Sequence, residues 1–164
     1  MRKNIYVIIF IFMTILCLYG CTNKGDEKKF SLNQTQEKII ESQDQKEMNK
    51  ITLEINQKEF QVTLVKNNAV EQLLLELPMS MEMNDLNRNE KYYYFNHSIP
   101  TKSESVGHIE VGDFMLFGDN CLVLFYDSFD TSYSYTRLGH VDNVDEFVKT
   151  VGNTNIKVIM NRSK

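Results

Sequence analysis

Cysteine is scarce in this chain, and the scarcity limits how the chain can be held together. Cys17, Cys21 and Cys121 are the only three in 164 residues. Two of them fall in the opening 21 residues, so the remainder has one thiol and no intramolecular disulfide, even in a compartment that would allow one. Stability must come from an apolar core. Basic clusters are also missing. Beyond Cys21 there are 16 Lys and Arg against 22 Asp and Glu, a formal charge of −6. That balance argues against nucleic acid as a partner and against adhesion to anionic lipid headgroups. His97, His108 and His140 follow no zinc spacing, and Asp127 and Asp130 lack the alternating ligands and central Gly of a calcium loop. No Gly-x-Ser-x-Gly elbow and no glycine-rich phosphate loop is present. Neither a metal nor a cofactor is expected. The apolar run from Ile5 to Tyr19 falls short of the ~20 residues that span a bilayer comfortably.

That short run is nevertheless the most informative segment present. Arg2 and Lys3 precede it, and Leu18-Tyr19-Gly20-Cys21 ends it. A basic start, a short apolar stretch and a small residue before the cut make a secretory signal. Leu at −3, Gly at −1 and Cys at +1 resemble the bacterial lipobox. The resemblance implies cleavage before Cys21, a diacylglyceryl group on its sulfur and further acylation of the new amino end. An uncleaved anchor with an incidental cysteine is the alternative. Two or more acyl chains, at ~0.8 kcal/mol per buried methylene, hold a protein stably on a membrane where one does not. The expected location is the extracytoplasmic face of a bacterial cell membrane, with residues 1–21 as signal.

Residues 22–48 are rich in Lys, Glu, Gln, Asn and Asp and poor in large apolar side chains. They cannot bury enough surface to offset their ordering entropy, so they read as a flexible tether. One folded domain is expected over residues 49–164, as a monomer. Ile51, Leu53 and Ile55 alternate with polar residues, as do Phe60, Val62 and Leu64, predicting a hairpin with one buried face across a turn at Asn56 to Glu59. Asn68-Ala69-Val70-Glu71 has the form of a capping box, opening a helix that Pro78 stops. Met79, Met81 and Met83 alternate as a third strand. A polar loop over 84–89 precedes an aromatic strand, Tyr92 to Phe95; His97 to Gly107 reads as loop. Two uninterrupted apolar runs flank Gly118-Asp119-Asn120, which predicts a tight reversal between strands covered on both faces. A strand follows from Tyr133 to Val141. Asn143-Val144-Asp145-Glu146 resembles a second capping box, and Asn155 to Met160 closes the chain as a strand. About eight strands and two short helices suggest a mainly β domain, closed as a barrel or packed as a sandwich; closure removes exposed edges.

The segments DLNRNEKYYYF, VGDFMLFGDNCLVLFYDSF and TSYSYTRLG resemble the small bacterial cyclophilin-like domains, and the likeness runs from about Ile51 to Met160. It implies an eight-stranded closed β-barrel with two helices. The expected core includes Ile51, Leu53, Leu64, Leu74, Leu116, Val123, Phe125 and Ile159. The relation to the prolyl isomerases is more distant. GDFMLFGDNCLVLFYD looks like the strand-turn-strand beside their peptide groove. The Arg of their Phe-His-Arg motif has no counterpart in Lys91-Tyr92-Tyr93-Tyr94-Phe95-Asn96-His97, and the Gln of their Gln-Phe-Phe motif none in Cys121 to Phe125.

Two structural readings remain for the candidate ligand residues. Alternate residues of a strand share a face, so Tyr133, Tyr135 and Arg137 line up. They make either a polar-aromatic ligand face, with the guanidinium and phenols as donors, or a ladder that stabilises the sheet. Tyr92 to Phe95 put aromatics on both faces, one pair in the core and the other at a groove or sheet edge. Cys121, without an activating base in view, reads as a buried inert thiol. The expectation is a non-catalytic module on a lipid anchor that binds a peptide or small ligand, with no catalytic residues. A prolyl isomerase with a rearranged site is the alternative.

Overall fold

A computed structural model describes residues 50–163. The signal segment, Cys21 and the tether over 22–48 lie outside the described residues.

The chain opens with the hairpin β1 (Lys50–Ile55) and β2 (Lys58–Leu64). Its connection is two residues, Asn56 and Gln57, both with left-handed backbones (φ 51° and 64°). That geometry matches the strand twist, and asparagine adopts it at low cost. Helix α1 (Asn68–Leu75) follows, then β3 (Met79–Leu86) and β4 (Glu90–Tyr94). Two short strands, β5 (Glu104–Ser105) and β6 (His108–Ile109), lead to the hairpin β7 (Asp113–Phe117) and β8 (Cys121–Phe125). Next come β9 (Phe129–Asp130), β10 (Ser134–Val141), helix α2 (Val144–Val151) and β11 (Ile156–Arg162).

The strands join in the order β2-β1-β11-β3-β4-β8-β7-β10, and β10 pairs back to β2, closing an eight-stranded antiparallel barrel. Strand β5 adds to the free side of β10, and β6 and β9 form a separate two-stranded sheet. Closure requires Gly139, where β10 passes between β7 and β2. A β-carbon there would collide with the Thr63 carbonyl oxygen and the Leu64 α-carbon.

Alternation fills the barrel. Ile51, Leu53 and Ile55 meet Phe60, Val62 and Leu64, together with Met81, Met83, Leu116, Leu122, Leu124, Val158 and Met160. Both helices contribute their apolar faces, Ala69, Val70 and Leu73 from α1 and Phe147 and Val151 from α2. Phe147 meets Phe60 edge to face at 5.8 Å.

A second apolar cluster lies on the opposite face of β7 and β8. It joins Ile109, Met115, Cys121, Val123, Phe125 and Tyr135. This is why β8 has no polar position: Leu122 and Leu124 face the interior, while Cys121, Val123 and Phe125 are covered from outside. Val123 and Phe125 are therefore buried, but in the outer cluster and not in the barrel core. Two other expected core residues are only half-buried. Ile159 takes the opposite face of β11 from Val158 and Met160, and Leu74 packs at the border of the core.

Both caps also differ from the expected boxes. Asn67, not Asn68, caps α1: its side-chain oxygen accepts from the Val70 amide at 2.9 Å, and its Nδ2 donates to the Arg137 carbonyl at 2.7 Å. Asn143 sits at the start of α2 without a side-chain cap bond. Residues 97–107 are not wholly loop, since they supply β5; a second short strand, β9, precedes β10.

Candidate functional site

The outward faces of β4, β8, β7 and β10 form the floor of a groove, and residues 129–133 form one wall. Its volume is about 630 Å³. Strand parity places the floor. On β4 and just after it, Lys91, Tyr93 and Phe95 turn toward the barrel interior, while Glu90, Tyr92 and Tyr94 turn out into the groove. On β8, Cys121 and Val123 face the groove beside them.

Aromatic rings dominate the lining: Tyr92, Tyr94, Phe117, Phe129, Tyr133 and Tyr135. They brace each other edge to face, the arrangement that ring quadrupoles favour. Tyr92 meets Tyr94 at 5.6 Å between centroids, and Phe117 meets Tyr133 at 5.7 Å and Tyr135 at 5.5 Å. Tyr135 in turn meets Phe125, which meets Phe129. The rings at the mouth are open to solvent, Tyr133 at 62% and Tyr94 at 59%, whereas Tyr135 at the base is 5% exposed. Clustered exposed apolar surface of this kind marks interaction sites.

The ionisable groups are unusual for their surroundings. Burial pushes the Glu90 carboxyl above its ordinary range. Burial and the nearby Glu90 charge push Tyr135 up as well. Burial raises the Cys121 thiol, against a hydrogen bond from Tyr94 that would lower it. A thiol shifted upward is less available as a thiolate nucleophile.

The structure brings Tyr133 and Tyr135 together in this groove and leaves Arg137 outside its lining. Arg137 shares a face with Tyr135 but lies one step further along, opposite Met115, where a bulge in β10 begins. Its guanidinium turns to Glu104 at 3.7 Å and Asp113 at 3.9 Å. Tyr133 precedes β10 and belongs to the wall. Glu90, Tyr92 and Tyr94 complete the groove. Their shared parity is the signal the sequence carries, and Glu90 lies just ahead of the aromatic run that draws the eye.

A Ser–His–Asp contact lies beside the groove on the small sheet. His108 Nδ1 is 2.6 Å from Asp130 Oδ1, and its Nε2 is 3.0 Å from Ser128 Oγ. The Ser128 hydroxyl donates to the Ile109 carbonyl at 3.0 Å, so its single hydrogen is not offered to the imidazole. Asp130 is mostly solvated. The contact works as a clasp between β6 and β9. Among the described residues, no three His, Cys, Asp or Glu side chains converge as metal ligands.

Comparison with known proteins gives the following. The model of the cyclophilin-like family matches residues 53–161. No curated protein matches. Among solved structures, one similar fold is the solution structure of the hypothetical protein AF2241 from Archaeoglobus fulgidus, with a TM-score of 0.50 and 16% identity over 71% of this chain and 95% of that one. Another is McbB in complex with tryptophan, with a TM-score of 0.49 and 19% identity over 68% of this chain. The chain spans 44% of the length of McbB.

Proposed function

The chain belongs to the cyclophilin-like family, and from that premise we propose that it is a ligand-binding module held on the extracytoplasmic face of the membrane by lipid on Cys21. The observation that carries the binding role is the groove: a braced aromatic floor and an open mouth on the outside of a rigid barrel. Pre-formed aromatic concavities with a few polar groups are the usual form of small-ligand and peptide sites. The lipid anchor rests on Leu18-Tyr19-Gly20-Cys21 and the basic start of the chain. We expect binding without turnover: the Cys121 thiol that lines the groove is raised by burial, the opposite of an activated nucleophile.

One observation favours prolyl isomerisation as a second reading. The β7–β8 hairpin that resembles the groove unit of the isomerases supplies Phe117, Cys121 and Val123 to this groove. Against it, no Arg among the described residues lines the groove to polarise a prolyl amide.

Two measurements test the proposal. Cys21→Ser should abolish fatty-acid labelling and leave the precursor uncut; a variant that still matures and stays membrane-bound refutes the anchor. In a protease-coupled prolyl peptide assay the wild-type chain should give no acceleration. Acceleration lost in Tyr94→Ala would replace the binding reading with the enzymatic one.

A further inference from the structure

The charge of the groove is one-sided. Among the described residues, its lining includes Glu90 and Asp130 and no Lys or Arg. Glu90 is half-buried at the end of the tyrosine floor, and it takes no part in any ion pair among the described residues. Nor does its carboxylate accept a side-chain hydrogen bond there of the kind that settles Asp85 or Asp142. Asn89, another lining residue, keeps its Oδ1 buried and, among the described residues, without a partner. A partly desolvated carboxylate without a counter-charge is costly to keep, and a ligand that brings the counter-charge recovers that cost. The rings around it present negative π faces, which attract the same charge.

Resting on the reading of the groove as a binding site, we infer that it takes an alkylammonium group, its N–H bonds donated to Glu90 and its carbon chain laid across Tyr92, Tyr94 and Tyr135. The sign is the reverse of what an Arg137-centred face would select. The raised carboxyl of Glu90 agrees with the missing partner. The ammonium has two sources of identical chemistry, a free primary amine or the lysine side chain of an extended peptide, and both fit an open-ended groove.

The experiment is a ligand-observed NMR titration of the wild-type chain with three probes: n-butylammonium chloride, n-butanol as its neutral counterpart, and N-acetyl-lysine methylamide. The expected result is at least tenfold tighter binding of an ammonium probe than of n-butanol. Glu90→Gln should remove at least tenfold of the ammonium affinity and leave n-butanol unchanged, with a melting temperature no lower than wild type. Tighter binding of the capped lysine than of butylammonium assigns the ligand to a peptide; the opposite order assigns it to a free amine. Equal affinity for butylammonium and butanol, or an unaffected Glu90→Gln variant, overturns the ammonium inference and leaves the groove as a neutral binding site. If no probe binds at all, both the groove reading and the inference built on it fail.

Discussion

Lys91→Met tests how the barrel tolerates a charge in its interior. The Lys91 side chain is 0% exposed and reaches Asp85 Oδ1 at 2.5 Å and the Thr154 carbonyl at 2.7 Å. Tyr126 donates its hydroxyl to the same Asp85 oxygen, and its ring lies 4.6 Å from the ammonium. Methionine keeps most of the aliphatic stem and removes the ammonium, with its charge and its N–H donors. It leaves Asp85, 15% exposed, with one side-chain donor, and strands the Thr154 carbonyl. Breaking a buried pair from one side costs ~3–5 kcal/mol, and the partial exposure of Asp85 puts this case near ~3. For a domain of this size that is a fall in melting temperature of roughly 10–15 °C. Replacing both partners, Lys91→Met with Asp85→Asn, should recover most of the loss, since no charge is then left without a partner.

The same pair predicts a pH dependence. Burial would raise the Asp85 carboxyl, but hydrogen bonds from Lys91 and Tyr126 and the Lys91 charge outweigh it and hold the group below its ordinary 3.8. A carboxyl depressed in the fold contributes stability above its unfolded value and loses it as pH falls through the folded value. The gap between wild type and Lys91→Met should therefore be widest at neutral pH and narrow below about pH 4, where the stranded carboxylate of the variant takes a proton. Urea unfolding followed by far-ultraviolet circular dichroism at pH 7, 5 and 3.5 measures it. A loss under 1 kcal/mol at pH 7, or a gap independent of pH, would refute the assignment of Lys91 as a structural counter-charge.

Three further perturbations probe closure, core and groove. Leu116→Ala should cost ~2–5 kcal/mol in urea unfolding, because a closed barrel relaxes poorly around a cavity; a near-neutral result would contradict the interior placement of Leu116. Gly139→Ala should destabilise by more than the ~0.5–1 kcal/mol that Ala ordinarily gains over Gly in a strand, since the added carbon meets the β2 backbone; a stabilised variant would show that β10 and β2 do not approach as described. Glu90→Gln should raise the melting temperature at neutral pH. The carboxyl is raised above 4.5 in the fold, so its stabilising protonated form is lost as pH rises through the folded value, and Gln mimics that form. The advantage should vanish below about pH 4; an advantage that persists there would point to packing instead of charge.

Much of the barrel was legible because its strands bury one face each. Ile51, Leu53 and Ile55 against Phe60, Val62 and Leu64 declare a hairpin by parity alone, and all six lie inside the barrel. Runs without alternation carry less. Cys121 to Phe125 announces burial on both faces but not which residue faces which way; Val123 and Phe125 are buried as expected, in the outer of the two apolar clusters. Adjacent asparagines at 67 and 68 are equally good caps by type, and only the backbone decides that Asn67 reaches the Val70 amide.

The sign of the groove was hidden for a different reason. Tyr133, Tyr135 and Arg137 share parity, which made a cationic aromatic face the natural reading of that strand. Parity fixes a face; it does not fix what the neighbouring strands bring to it. Glu104 on β5 and Asp113 on β7 lie within reach of Arg137 and hold its guanidinium beside them. The floor next to Tyr135 comes instead from β8 and β4, whose outward positions are Cys121, Val123, Tyr92, Tyr94 and Glu90. β4 and β10 are separated in the sheet by β8 and β7, and by some forty residues of chain from Tyr94 to Tyr135. A ligand face assembled across four strands takes its charge from the strand that happens to carry the unpaired group. Here that group is a carboxylate, and an ammonium, not a carboxylate, is what it should select.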